Sequence, residues 1–101
     1  MDKNSLRLAK EWFKKAQADL DFARMGLKET NHYGQVCFFC QQVVEKYLKG
    51  FLVAHNRKFH KIHQTSALIK RCINIDQRFK KFIAKCKILD GYYIPTRYPV
   101  P

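Results

Sequence analysis

The stretch YGQVCFFCQQVVEKYLKGFLVAH, residues 33–55, decides the fold. In its first half, apolar side chains would cover nearly the whole circumference of an α-helix. A helix of that kind is central in its fold, or faces both its own core and another subunit. Five polar residues interrupt the apolar surface: Gln41, Gln42, Glu45, Lys46 and Lys49. We therefore predict a central helix from about Tyr33 to His55.

A long amphipathic helix is predicted before it, from Ser5 to about Lys28. Apolar residues recur at intervals of three or four, at Trp12, Ala16, Leu20, Ala23 and Leu27. This stripe is typical of a helix that packs on one side. Asn4 or Ser5 can cap the start of the helix, and residues 30–31 end it.

Two shorter helices are predicted after the central one. Residues 56–63, NRKFHKIH, have no apolar period and indicate a basic loop. Thr65 or Ser66 can cap a third helix, and Asp76 can cap a fourth that runs through QRFKKFIAKCKILDGYY and stops near Gly91. No alternating pattern predicts a strand. The predicted fold class is all-α, an antiparallel up-and-down four-helix bundle forming a single domain over residues 1–101.

The composition excludes several classes of protein. An apolar content of 47% and an aromatic content of 14% are too high for a disordered chain. No apolar run approaches the length of a membrane span, and the start MDKNSLRLAK is too polar for a signal peptide. We therefore expect a cytoplasmic protein without membrane association. The cysteines are interpreted as reduced thiols in the core, at Cys37, Cys40, Cys72 and Cys86.

The formal net charge of +12 is distributed unevenly. Residues 1–36 carry seven Lys or Arg against five acids, whereas residues 37–101 carry thirteen against three. Such an excess can be a solvated lysine-rich surface, a field that attracts the phosphates of RNA or a nucleotide, or a surface for an acidic protein partner. In the fourth helix, Arg78, Lys81 and Lys85 would share one face and repel one another unless a counter-ion is present.

Three histidines occur between residues 55 and 63, with cations between them. A metal site needs imidazoles that converge without competing positive charge, so we expect no metal. Arg57 and His63 could instead support metal-free cleavage of RNA, in which His63 moves a proton and Arg57 stabilises the charge on phosphorus. No glycine-rich phosphate loop is present, and no cofactor is predicted.

Asp19, Glu45 and Lys46 lie beside the apolar faces of the first two helices. They can form structural ion pairs or hydrogen bonds across the bundle. They can also line a polar groove between helices, and the residues alone leave both interpretations open.

The chain ends in GYYIPTRYPVP, residues 91–101. Pro95 and Pro99 fix two φ angles and bias the residues before them toward extended backbone, so the segment can be stiff without secondary structure. Tyrosine rings, including those of Tyr93 and Tyr98, can then pack on the bundle while Arg97 is held at a set place.

In order along the chain, these residues resemble the HEPN domain family. The motif elements are Trp12, Ala16, Asp19-Leu20 and Ala23, then Cys37-Phe38, Gln41-Gln42, Glu45-Lys46 and Leu48-Lys49, then His63 before the third helix, and finally YIPTRYP at residues 93–99. The resemblance spans residues 12–99, and the ordered set that ends with YIPTRYP is strongly specific.

The resemblance implies a helical bundle, commonly a homodimer, that is often encoded beside a minimal nucleotidyltransferase as a toxin-antitoxin-like pair. Some HEPN proteins are metal-independent ribonucleases that use an Arg and a His at short spacing near the last helices. If Arg97 were that arginine, its histidine would lie beyond Pro101, where family members usually continue into a further helix. Arg57 and His63 lie in the wrong segment for the family's active site.

We therefore expect a binding module that holds the phosphate of a nucleotide or RNA, rather than an enzyme. The candidate phosphate-binding residues are Arg97, Lys81, Lys85, Arg78, Lys46 and Lys49. The candidate structural or groove residues are Asp19, Gln41, Gln42, Glu45, Tyr93 and Tyr98. One alternative is a ribonuclease with Arg97, His63 or Arg57 as catalytic residues, and a second is a dimeric interaction scaffold that binds no nucleotide.

Overall fold

The computed structural model of the chain describes residues 2–59 and 61–93. These residues form α1 (Lys3–Glu29), α2 (Tyr33–Ala54), α3 (Thr65–Ile73), a 3₁₀ helix (Gln77–Phe82) and α4 (Ile83–Asp90). No strand occurs in this part of the chain. α2 packs against α1, α3 and α4, and α3 packs against α4. The predicted all-α four-helix bundle and its central second helix are confirmed.

The ends of α1 are held by local hydrogen bonds. The Asp2 carboxylate accepts a hydrogen bond from the Ser5 N–H at 2.8 Å, so Asp2 is the N-cap rather than the predicted Asn4 or Ser5. The same hydrogen bond lowers the pKa of Asp2. At the other end, Thr30 donates its N–H and its hydroxyl to Gly26 O, at 3.0 and 2.7 Å. The predicted end of the first helix at residues 30–31 is confirmed.

α1 approaches α2 along a row of small residues. Ala9, Ala16 and Ala23 recur every seven residues and are 1%, 0% and 3% exposed. On α2, a Cβ at Gly50 would lie 2.7 Å from Phe13 Cδ1, so the close approach requires glycine there. In the predicted stripe, Ala16 and Ala23 are buried, Trp12 and Leu20 are partly buried, and Leu27 is 60% exposed.

A second core lies between the C-terminal half of α2 and the two short helices. It consists of Leu48, Leu52, Leu68, Ile69, Cys72 and Cys86. All four cysteines are free thiols, and burial raises the pKa of Cys72 to about 12. Cys72 and Cys86 are buried and act as the predicted small core hydrophobes, whereas Cys37 and Cys40 are only partly buried.

The predicted fourth helix is divided in two. Asp76 caps it as expected, because its carboxylate accepts a hydrogen bond from the Arg78 N–H at 3.0 Å. The first six residues then form 3₁₀ turns, which are frequent at helix N-termini, and α4 follows. Phe82, at the end of the 3₁₀ segment, is 41% exposed. Within the described residues, no helix is both long enough and apolar enough to cross a membrane.

Candidate functional site

One face of α2 carries a row of buried polar side chains. Gln41, Glu45 and Lys49 follow one another at intervals of four, which places them on one side of the helix, and they are 0%, 5% and 4% exposed. Gln41 Nε2 donates to Glu45 Oε1 at 3.4 Å, and Gln42 Nε2 donates to Gln41 Oε1 at 2.8 Å. With His63, which joins them from the loop before α3, these residues form what we call the α2 polar cluster.

Lys49 lies inside the protein rather than on its basic surface. Its Nζ is 2.9 Å from Glu45 Oε2, and both side chains are nearly fully buried. The ammonium also lies 5.6 Å from the centroid of the Trp12 ring and 5.2 Å from that of Phe59, within the range of cation–π attraction. This placement corrects the expectation that Lys49 faces a phosphate, because its charge is already paired and enclosed.

His63 is held in place but remains accessible. Its Nδ1 lies 3.4 Å from Glu45 Oε2, and its backbone oxygen accepts a hydrogen bond from Gln41 Nε2 at 2.9 Å. Its ring is parallel to that of Tyr93, with centroids 5.5 Å apart. The side chain is 46% exposed. A carboxylate beside one ring nitrogen orients an imidazole, so His63 is a positioned group that could exchange a proton with a ligand.

Asp90 fixes Tyr93 beside His63 by joining the end of α4 to the start of α3. Its Oδ1 accepts hydrogen bonds from the N–H and the hydroxyl of Thr65, at 2.6 and 2.8 Å, and its Oδ2 accepts from Ser66 N–H at 3.1 Å. Thr65 and Ser66 are therefore donors to a cap supplied by α4 rather than the caps predicted from the sequence. Sequence reasoning missed Asp90, for which the only local signal is an acid just before Gly91.

Lys46 and Asp19 form an ion pair between α2 and α1. Their side chains are 22% and 19% exposed, so the pair lies at the rim of the helix interface. Of the two interpretations left open above, the contact matches the structural ion pair across the bundle.

The cations of the 3₁₀ helix and α4 differ in their surroundings. Arg78 binds the Asp76 carboxylate, with Nη2 2.7 Å from Oδ2, and this pairing lowers the pKa of Asp76 to about 2. Lys81 and Lys85 have no carboxylate partner among the described residues, and their Nζ atoms lie 5.1 and 6.0 Å from the centroid of the Phe82 ring. Two free cations thus flank one exposed aromatic ring.

Arg57 and His63 are not brought together. Arg57 lines a pocket with Lys58, Arg71, Asn74 and Ile75. In contrast, His63 contacts Gln41, Glu45 and Tyr93. The pair predicted as a possible ribonuclease centre is therefore not assembled, because the loop between the two residues carries them to different neighbours.

Two of the predicted site residues, Arg97 and Tyr98, lie outside the described residues. Within the ranges 2–59 and 61–93, no group of three or more His, Cys, Asp or Glu side chains is arranged to hold a metal ion. No arginine in those ranges hydrogen-bonds to the α2 polar cluster.

Comparisons with known proteins agree with the geometry of the bundle. The HEPN domain model matches residues 9–101. A protein of Methanocaldococcus jannaschii named "Putative toxin MJ1304" is 32% identical over 104 aligned residues, which cover 96% of this chain and 67% of that protein. No solved structure matches the chain.

Proposed function

This chain belongs to the HEPN domain family, and we propose that it is the toxin-like component of a two-component system and binds the phosphates of RNA or of a nucleotide. The name of the M. jannaschii relative supports the toxin-like role. The proposed partners are a second copy of the chain and a minimal nucleotidyltransferase.

The charge balance of the second half of the chain carries the proposal. Its three acids are all engaged locally: Glu45 with Lys49 and His63, Asp76 with Arg78, and Asp90 with the start of α3. Nine cations in the described part of this half therefore have no carboxylate partner: Arg57, Lys58, Lys61, Lys70, Arg71, Lys80, Lys81, Lys85 and Lys87. A one-signed field of this kind attracts polyanions.

The surroundings of Phe82 favour RNA among the polyanions. A base can stack on an exposed aromatic ring while neighbouring cations contact the phosphates on either side of it. The ammoniums of Lys81 and Lys85 lie over the Phe82 ring, 5.1 and 6.0 Å from its centroid, close enough to reach phosphates next to a base at this ring, and both are candidate phosphate-binding residues in the sequence.

Direct titration tests the proposal. The purified protein is titrated into a labelled single-stranded RNA, and separately with ATP and GTP, at low and at high salt, with fluorescence anisotropy or calorimetry as the readout. We expect binding at low salt that weakens as salt rises. If none of the three ligands binds at low salt, phosphate binding is wrong and the interaction scaffold is the better account.

Pairing with a second copy is supported by apolar side chains left on the surface near the α1–α2 connection. Phe22, Met25, Leu27 and Tyr33 are 57%, 61%, 60% and 57% exposed. Exposed apolar groups in one region often mark an interface. Analytical ultracentrifugation at micromolar concentration should give a dimer, and a monomer would contradict this part of the proposal. Co-purification with a nucleotidyltransferase encoded beside the chain tests the other partner.

A metal-independent ribonuclease is the second candidate function, and the contact between Glu45 and His63 is the observation that favours it. An imidazole oriented by a carboxylate is suited to general acid-base catalysis. Incubation with total RNA in EDTA, beside the variants His63→Ala and Arg97→Ala, tests it. Cleavage that disappears in the His63 variant would support the enzyme, whereas absent cleavage, or cleavage unchanged in both variants, would remove these residues from any such mechanism.

A further inference from the structure

A cationic pocket lies where α2 ends. It is lined by Arg57, Lys58, Arg71, Asn74 and Ile75 and has a volume of about 400 Å³. We propose that this pocket, which we call the loop pocket, binds one nucleotide unit of single-stranded RNA through its phosphate. The inference rests on the proposed function and adds to it the place where the phosphate is held.

The backbone of the loop pocket is built by the end of α2. Asn56 takes the left-handed conformation, with φ of 56°. Its N–H donates to Val53 O at 3.0 Å, and the Arg57 N–H donates to Leu52 O at 2.8 Å. This pair of bonds is the Schellman motif, which satisfies the last carbonyls of a helix and fixes the direction of the chain after it. The positions of Arg57 and Lys58 at the pocket are therefore set by the helix end.

A second contact ties the loop to α3. Arg71 Nη1 donates to Lys58 O at 2.6 Å. This bond uses one of the five N–H groups of the guanidinium, and the remaining donors suit the planar recognition of a phosphate. A cation near the C-terminal end of a helix also interacts favourably with the helix dipole, and this role accounts for Arg71 but not for a concentration of three cations in one pocket.

The charge of the loop pocket is uncompensated. No carboxylate lines it, and none of its three cations forms an ion pair within the described residues. The acid nearest in sequence, Asp76, is bound by Arg78. Three cations without a counter-charge repel one another at short range, and an anion between them would relieve that repulsion. A phosphate carries the charge and the acceptor oxygens to do so.

The other two lining residues favour a nucleotide unit over a bare phosphate ion. Ile75 contributes apolar surface that can contact a ribose or base, and the Asn74 amide offers both a donor and an acceptor to a base edge. The pocket is also separate from Glu45, whose carboxylate lies beside His63, because the helical rise from Glu45 to Ala54 is about 14 Å. Phosphate bound here would therefore not occupy the site at His63.

Charge-removing variants of matched size test the inference. The pocket variant is Arg57→Gln with Lys58→Gln, and the control is Lys10→Gln with Lys14→Gln, which removes the same charge from exposed cations of α1, outside the basic second half of the chain. Both variants leave buried residues untouched, and circular dichroism checks their fold. The probe is a labelled single-stranded oligouridylate, measured at several salt concentrations, with ATP as a parallel ligand.

We expect the pocket variant to bind the RNA about tenfold more weakly, equivalent to about 1.4 kcal/mol, with a salt slope shallower by about 0.7 per lost phosphate contact. The control should change affinity by less than about threefold. Equal losses in the two variants, or wild-type affinity in the pocket variant, would overturn the inference and leave the proposed function standing. Loss of ATP binding alone, with RNA binding intact, would overturn the assignment to RNA. If the wild-type protein binds neither probe, the proposed function fails as well.

Discussion

Replacing Glu45 with glutamine removes the buried negative charge that faces Lys49. The side chains of Glu45 and Lys49 are only 6% and 5% exposed. The ammonium of Lys49 therefore cannot reach water unless the contact between α1 and α2 opens. Removing one partner of a buried ion pair lowers the free energy of unfolding by about 3–5 kcal/mol. The amide oxygen of Gln still accepts a hydrogen bond, and the rings of Trp12 and Phe59 still attract the cation. We therefore expect a loss of about 3 kcal/mol, at the lower end of that range.

Urea unfolding at neutral pH, with the slope m unchanged, measures this loss. Asp19→Asn is the matched control, since it breaks the partly exposed pair with Lys46 and should cost less. The double variant Glu45→Gln, Lys49→Met is expected to recover most of the stability, because an unbranched apolar side chain fills the space between the two rings and no charge is left buried. Two results would contradict a stabilising buried ion pair. One is a loss of stability below about 1 kcal/mol in Glu45→Gln. The other is a double variant whose loss equals the summed losses of Glu45→Gln and Lys49→Met measured separately.

The remaining predictions concern packing and titration. Gly50→Ala should lower the free energy of unfolding by about 1–3 kcal/mol, because its Cβ would clash with an α1 ring, whereas Gly91→Ala should change it by less than about 0.5 kcal/mol; urea unfolding compares them. With its pKa raised to about 12, Cys72 should resist thiol reagents in the folded protein, and stability should fall as pH rises from about 9; rapid labelling of Cys72 would contradict its burial. Because Arg78 lowers the pKa of Asp76 from 3.8 to about 2, Arg78→Ala should return it toward 3.8 in an NMR titration; in the unaltered protein the stability from this carboxylate is present above pH 3.8 and disappears as pH falls through about 2.

The positions of the two long helices are predictable from local sequence pattern. Which of their side chains become buried is not. Apolar periodicity predicts α1 and α2 to within two residues at each end, because each helix has a strong repeat and a clear break. From the sequence, Lys49 is a candidate phosphate-binding residue, and lysine is seldom buried in proteins. Its burial depends on Trp12 and Phe59, which are far away in the sequence and cover it only after folding. Where α1 approaches α2, burial likewise follows Ala9, Ala16 and Ala23 rather than the larger apolar residues of α1.

Part of the candidate site could likewise be predicted. The motif residues Gln41, Gln42 and Glu45 meet His63 as parts of one cluster, because the helical repeat already places the first three on one side of α2. The cap of α3 could not be predicted, since Asp90 reaches it from another helix, and Thr65 and Ser66 are themselves plausible caps in the sequence. The loop pocket could not be predicted either. It depends on the left-handed backbone of Asn56, which sets the direction of the chain after α2 and leaves no trace in the pattern of charges.

The dependence of RNA affinity on salt tests the central claim most directly. Each phosphate of a single strand neutralised by a cation contributes a slope of about −0.7 to a plot of log affinity against log salt. If the unpaired cations of the second half bind RNA together, at least three contacts are expected, and the slope between about 50 and about 200 mM salt should be steeper than about −2. A slope near zero, or no binding at about 50 mM salt, would contradict phosphate binding by this chain.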